Sequence, residues 1–105
     1  MLNIIKGEPF TFVVLLKFSD NKVNASEFMP GHNEWIKQGF DDGVFLLAGS
    51  LQPGLGGSVI TYNTTLADLE KRVSHDPFVA ENVVSAEILQ IDAKKSDERL
   101  QFLID

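Results

Sequence analysis

The chain contains no cysteine. That removes disulfides, thiolate metal sites and thiol nucleophiles together and fits a reducing compartment. It also lacks any long apolar run. Phe12 to Leu16 is five residues long and stops at Lys17, far short of the ~20 needed to span a bilayer. No positively charged stretch precedes an apolar core near the start, so no secretory leader is expected and the protein is expected to be cytoplasmic. Basic clusters are missing too: Lys71-Arg72 and Lys94-Lys95 are the adjacent basic pairs. With a net charge of −6, non-specific binding to nucleic acid or to an anionic membrane is not expected. Histidine is scarce, with two in the chain, and no HxH or HxxxH spacing; no metal is expected. Motifs for haem, flavin or a phosphate loop are absent as well, because Gln52–Gly57 (QPGLGG) lacks the Lys-Ser/Thr pair and does not open a helix.

What is present is apolar surface. Hydrophobic residues make up 44% of 105 residues, and eight are Phe. That length suits one domain, with a core over about 10–92 and a C-terminal extension over 93–105. The excess of apolar surface points to self-association.

The segment Phe10–Phe18 (FTFVVLLKF) is apolar on both alternating faces and reads as a central strand. Met1–Pro9 reads as either a short arm or an edge strand. Ser26 is a potential cap, but Pro30-Gly31 interrupts, so the main helix is expected from about Pro30, where proline suits a first turn. Asp42-Gly43 ends it, and Gly39 weakens its middle by roughly 1 kcal/mol relative to Ala. Val44–Leu51 and Ser58–Tyr62 read as a hairpin. Thr65 with Asp68 forms a capping box for a helix over Leu66–Ser74, Pro77 ends that helix, and Phe78–Glu81 adds a single turn. Val83–Ile91 is the last strand. Ser96 is expected to cap a short amphipathic helix in DERLQFLI.

The order strand, helix, strand, strand, helix, strand is that of a ferredoxin-like βαββαβ domain. It is an α+β fold, with a four-stranded antiparallel sheet and two helices on one face.

One imidazole stands out. On a helical wheel, Trp35, Phe28, His32 and Ile36 follow one another around one side. His32 thus lies within the apolar arc, where an unpaired polar group would cost on the order of 1–3 kcal/mol. Two carboxylates compete as its partner. Asp76 would arrive from the end of the other helix, and Asp42 falls just beyond Trp35 on the same wheel. Each also has a plain role, Asp76 as a cap before Pro77 and Asp42 as a helix-end turn residue. His75 reads as a surface residue supporting its helix C-terminus. Ser50 lacks a nucleophile-elbow context and reads as a pocket-lining residue, and the Gln52–Gly57 loop as the border of a pocket. Trp35 and Phe40 read first as core residues.

Taken together, TFVVLLKF, the helix with His32, the LLAGSL strand, the Gly-rich loop before SVITY, the HDPF turn (His75–Phe78) and VVSAEILQI resemble the YciI-like (YCII-related) domain family. The resemblance covers about residues 10–92. It implies a dimeric α+β barrel, with a homodimer packed sheet on sheet, and a cofactor-free His–Asp pair at His32 and Asp76. Trp35, Gly49, Ser50, Pro77 and Phe78 would then border a small-molecule site. Where the family commonly has proline after Ala-Gly, this chain has Ser50. Such a pair suits general acid/base chemistry, as in isomerisation, elimination or hydrolysis of a small, for example aromatic, molecule. The alternative is a non-catalytic small-molecule-binding or dimerisation module.

Overall fold

Strand β1 (Thr11–Phe18) lies at the centre of the sheet, as its two-sided apolar pattern requires. The computed structural model describes residues 10–104, and the arm-or-strand expectation for Met1–Pro9 lies outside them. The sheet is completed by β2 (Phe45–Leu51), β3 (Gly56–Thr61) and β4 (Val84–Ile91), in the order β2-β3-β1-β4, every pairing antiparallel. Helices α1 (Ala25–Asp41), α2 (Leu66–Ser74) and the single turn α3 (Pro77–Ala80) cover one face. This is the ferredoxin-like α+β arrangement that the element order predicts. Among the described residues, no helix is long and apolar enough to cross a membrane.

The two faces of β1 differ in their neighbours. Phe12, Val14 and Leu16 point toward the helices and are buried with Val59, Leu69, Val73 and Phe78. Val13 and Leu15 point the other way, opposite Ile60 and Ser58 on β3 and Leu89 and Glu87 on β4. A bulge in β2 sets its orientation. Phe45 pairs with Thr61 and Leu47 with Ile60, so two residues on β2 advance the register by one. Residues two apart would otherwise share a face. Here Phe45 enters the core, whereas Leu47 stands 63% exposed on the helix-free face.

Helix α1 begins at Ala25, not Pro30. Pro30 lacks an N–H, so the Ser26 carbonyl loses its helical bond. Both residues are exposed, where water can take up that carbonyl, and the helix continues. Asn24 is the N-cap, without a side-chain bond, so Ser26 does not cap. Gly39 has a packing role that propensity alone conceals. It is buried, and a β-carbon there would overlap the Phe45 ring. Helix α2 matches its expected range, and Thr65 Oγ1 accepts the Asp68 N–H at 3.1 Å. Strand β3 starts two residues earlier than expected, at Gly56, whose φ of 134° and close approach to the Leu16 carbonyl oxygen only glycine accommodates. The tail forms a 3₁₀ segment, Glu98–Leu103, broken at Leu100. Asp97, not Ser96, caps it by accepting the Arg99 N–H. Its Phe102 packs edge-on against Tyr62, with ring centres 5.4 Å apart.

Candidate active site

The tripeptide Asp76-Pro77-Phe78 builds one wall of the site by local rules. A residue before proline is steered away from helical backbone, and Asp76 is extended at φ −66°, ψ 124°. Pro77 occupies the first helical position, where no N–H is needed. Asp76 Oδ1 then caps the turn by accepting the Phe78 N–H at 3.0 Å. The same oxygen lies 2.8 Å from Nδ1 of His32 in α1. Asp76 is thus both the cap expected of it and the partner of His32.

Burial gives this contact its meaning. The Asp76 side chain is 0% exposed and that of His32 12%. The other carboxylate oxygen of Asp76, Oδ2, is buried with no hydrogen-bond partner among the described residues, an arrangement that costs stability. A carboxylate accepts only, so Nδ1 carries the hydrogen and neutral His32 keeps its lone pair on Nε2. That nitrogen has no hydrogen-bond partner among the described residues. The ring is also held from the side. Phe78 stacks on it face to face, with centres 4.0 Å apart and planes 5° from parallel, and Trp35 lies 5.9 Å away at 25°. The competing carboxylate, Asp42, is engaged elsewhere. It accepts from Arg72 at 2.9 Å and Gln38 at 3.0 Å, and these bonds, the Arg72 guanidinium first, hold its carboxyl below the usual range.

His32 borders a pocket of about 290 Å³. Its apolar wall is formed by Leu16, Phe18, Met29, Ile36, Ala48, Val59, Val84 and Phe78. Asn33, Ser50, Ser58 and the glycines at 49, 56 and 57 complete it. Of the expected lining residues, Gly49, Ser50 and Phe78 are in place, as is the Gly56-Gly57 end of the loop. Trp35 and Pro77 do not border the pocket. Trp35 donates its indole N–H to the Arg72 carbonyl at 2.9 Å and faces a separate surface groove with Lys71, Arg72 and His75. Pro77 packs on Gly31, where an added β-carbon would lie 3.0 Å from the proline Cγ. His75 is exposed at the C-cap of α2.

Two parts of the site lie outside what the sequence predicts. Met29, Asn33 and Ile36 join His32 because they follow one another on the same flank of α1, on the His32 side of Phe28. The wheel holds that signal, since Trp35 falls on the opposite side of Phe28, the flank that faces the other groove. Gly31 is the second, a helical glycine beside His32 that marks the close approach of α3.

Compared with known proteins, the chain matches no protein-family model and no curated protein. Its shape is similar to the crystal structure of MtbAldR, with a TM-score of 0.51 at 12% sequence identity. The likeness covers 91% of this chain and 60% of that one, and it concerns the fold. The class defined so far is a ferredoxin-like α+β domain with a His–Asp pair at the edge of a largely apolar pocket.

Proposed function

We propose that this chain is a YciI-like, cytoplasmic, homodimeric enzyme that works without a cofactor and uses His32 as general acid/base on a small organic molecule. The observation that carries this is the pairing of His32 Nδ1 with a fully buried carboxylate, which leaves Nε2 unengaged on a ring that borders the pocket. In such a pair the carboxylate fixes the tautomer and stabilises the imidazolium once Nε2 has taken a proton. The proton can be returned to a different atom of the same molecule, which is isomerisation. Alternatively the electron pair left on the substrate expels a leaving group, and Nε2 passes its proton to that group or to water, which is elimination. An apolar pocket strengthens the interaction between the imidazolium and its carboxylate by keeping water away.

The second subunit belongs to the same proposal. The helix-free face of the sheet carries Val13, Leu15, Leu47, Ile60, Leu89 and Ile91, and Leu47, Leu89 and Ile91 are exposed. Packing this face on its copy would bury it, giving the dimeric α+β barrel.

The test is the tautomer. Nitrogen NMR of the His32 ring above its titration should show one form, protonated at Nδ1, and Asp76→Ala should give a mixture. An unchanged tautomer in that variant removes the basis of the proposal. For any substrate found, His32→Gln should lower turnover by roughly 10²–10⁴-fold, the usual contribution of a positioned acid or base.

A further inference from the structure

The pocket wall contains no Lys, Arg, Asp or Glu among the described residues. The one titratable group on it, His32, is tied to Asp76. In that pair, any positive charge the ring takes up at Nε2 is offset by the Asp76 carboxylate 2.8 Å from Nδ1. At no stage does it offer a net positive charge, and the chain as a whole carries −6. An anionic ligand would lose its hydration against an apolar wall and meet no cation there, which is costly.

Size narrows the range further. A cavity of about 150 Å³ holds one benzene ring. The 290 Å³ here therefore suits roughly a dozen non-hydrogen atoms on that scale. Polar groups on the wall are few. The side chains of Asn33 and Ser50 make no hydrogen bond to another described residue, so both are free to meet a ligand.

Resting on the proposed acid/base role of His32, we infer that the substrate is an uncharged, mostly apolar molecule of about that size, bearing one acidic C–H or O–H. Phosphates, nucleotides and dicarboxylates are outside the class. Its reaction begins as follows. The substrate C–H or O–H bond breaks, an N–H bond forms at Nε2, and the electron pair stays on the substrate. The total charge is unchanged by this step. The new negative charge on the substrate faces the new imidazolium, with the Ser50 hydroxyl and the Asn33 amide on the same wall as donors. A substrate that arrived already anionic would leave three negative charges, two on the substrate and one on Asp76, against one positive.

The experiment uses naphthol, naphthoate and naphthyl phosphate, which share one apolar body and differ in charge. Each is titrated into isotope-labelled full-length protein, following the His32 ring and the Gly49, Gly57 and Phe78 amides. Naphthol should move these signals saturably. Naphthoate should bind at least about tenfold more weakly, a low figure for an unpaired buried charge, and the phosphate weaker still. The inference is overturned if either anion binds as well as naphthol, or if none of the three shifts these signals. His32→Gln separates the inference from the role on which it rests. Naphthol affinity that persists undiminished in this variant, with the preference over both anions kept, upholds the ligand class and removes His32 as its contact. An anion that wins and loses its affinity in His32→Gln retains the His32 contact and overturns the class.

Discussion

Gly31 and Pro77 meet so closely that a β-carbon on the glycine would stand 3.0 Å from the proline Cγ. Each is the chain neighbour of one half of the dyad, Gly31 of His32 and Pro77 of Asp76. The spacing of α1 and α3 at this point therefore sets the distance between imidazole and carboxylate. Gly31→Ala should push α3 outward by a few tenths of an ångström. The expected result is a folded protein with a lengthened His32–Asp76 contact, seen as partial loss of the single His32 tautomer, while Tm changes by only a few degrees. A tautomer identical to wild type would show that α3 is not positioned by this contact.

Gly39 should behave differently from an ordinary helical glycine. In an exposed helix Gly→Ala gains about 1 kcal/mol. Here the new methyl group would overlap the Phe45 ring, and overpacking of a core costs about 1–3 kcal/mol. Gly39→Ala is expected to lower stability in urea or thermal unfolding, and Phe45→Leu should relieve part of the cost when combined with it. A stabilised Gly39→Ala would mean that Phe45 moves freely.

The acid limb of stability should register Asp42. Its folded-state carboxyl lies below its ordinary value, chiefly because Arg72 donates to it, with Gln38 assisting. A depressed carboxylate contributes stability above its unfolded value and loses it as pH falls through the folded one. Asp42→Asn should therefore be less stable than wild type near neutrality. The gap should close as pH drops below the ordinary carboxylate range. The group is exposed, so the effect is small. Parallel denaturation curves across pH give the comparison, and a gap that widens in acid would contradict the sign.

Self-association should depend on the helix-free face. Leu47→Lys with Leu89→Lys would place two charges on the apolar surface proposed to meet its copy. Light scattering or sedimentation should then report a monomer, with His32 and Asp76 still paired. A wild-type monomer, or a dimer indifferent to both changes, would place the subunit contact elsewhere or remove it.

The parts of the fold set by short-range chemistry are legible in the chain. The alternation in Thr11–Phe18, the Thr65–Asp68 cap and the Asp-Pro-Phe turn each act within a few residues, and each appears where expected. The start of α1 is not legible, because by local rules Pro30 marks a beginning, whereas it is an exposed interior residue that loses one bond. In the site, His32 shows itself as a polar group on an apolar arc. Its choice of Asp76 over Asp42 depends on where Arg72 sits, 30 residues away along the chain from Asp42. Trp35 escapes for a geometric reason. A helical wheel orders Trp35 and His32 on opposite flanks of Phe28, but only the packed structure shows that the two flanks face different cavities.

Because a single oxygen of Asp76 receives both the Phe78 amide and the His32 ring, that carboxylate cannot swing away without releasing α3 and its base together. A fluctuation that moves the Asp76 carboxylate frees that amide to solvent and disarms the imidazole in one event. The deuterium-exchange rate of one backbone proton, at Phe78, would thus count how often the site falls apart and reforms.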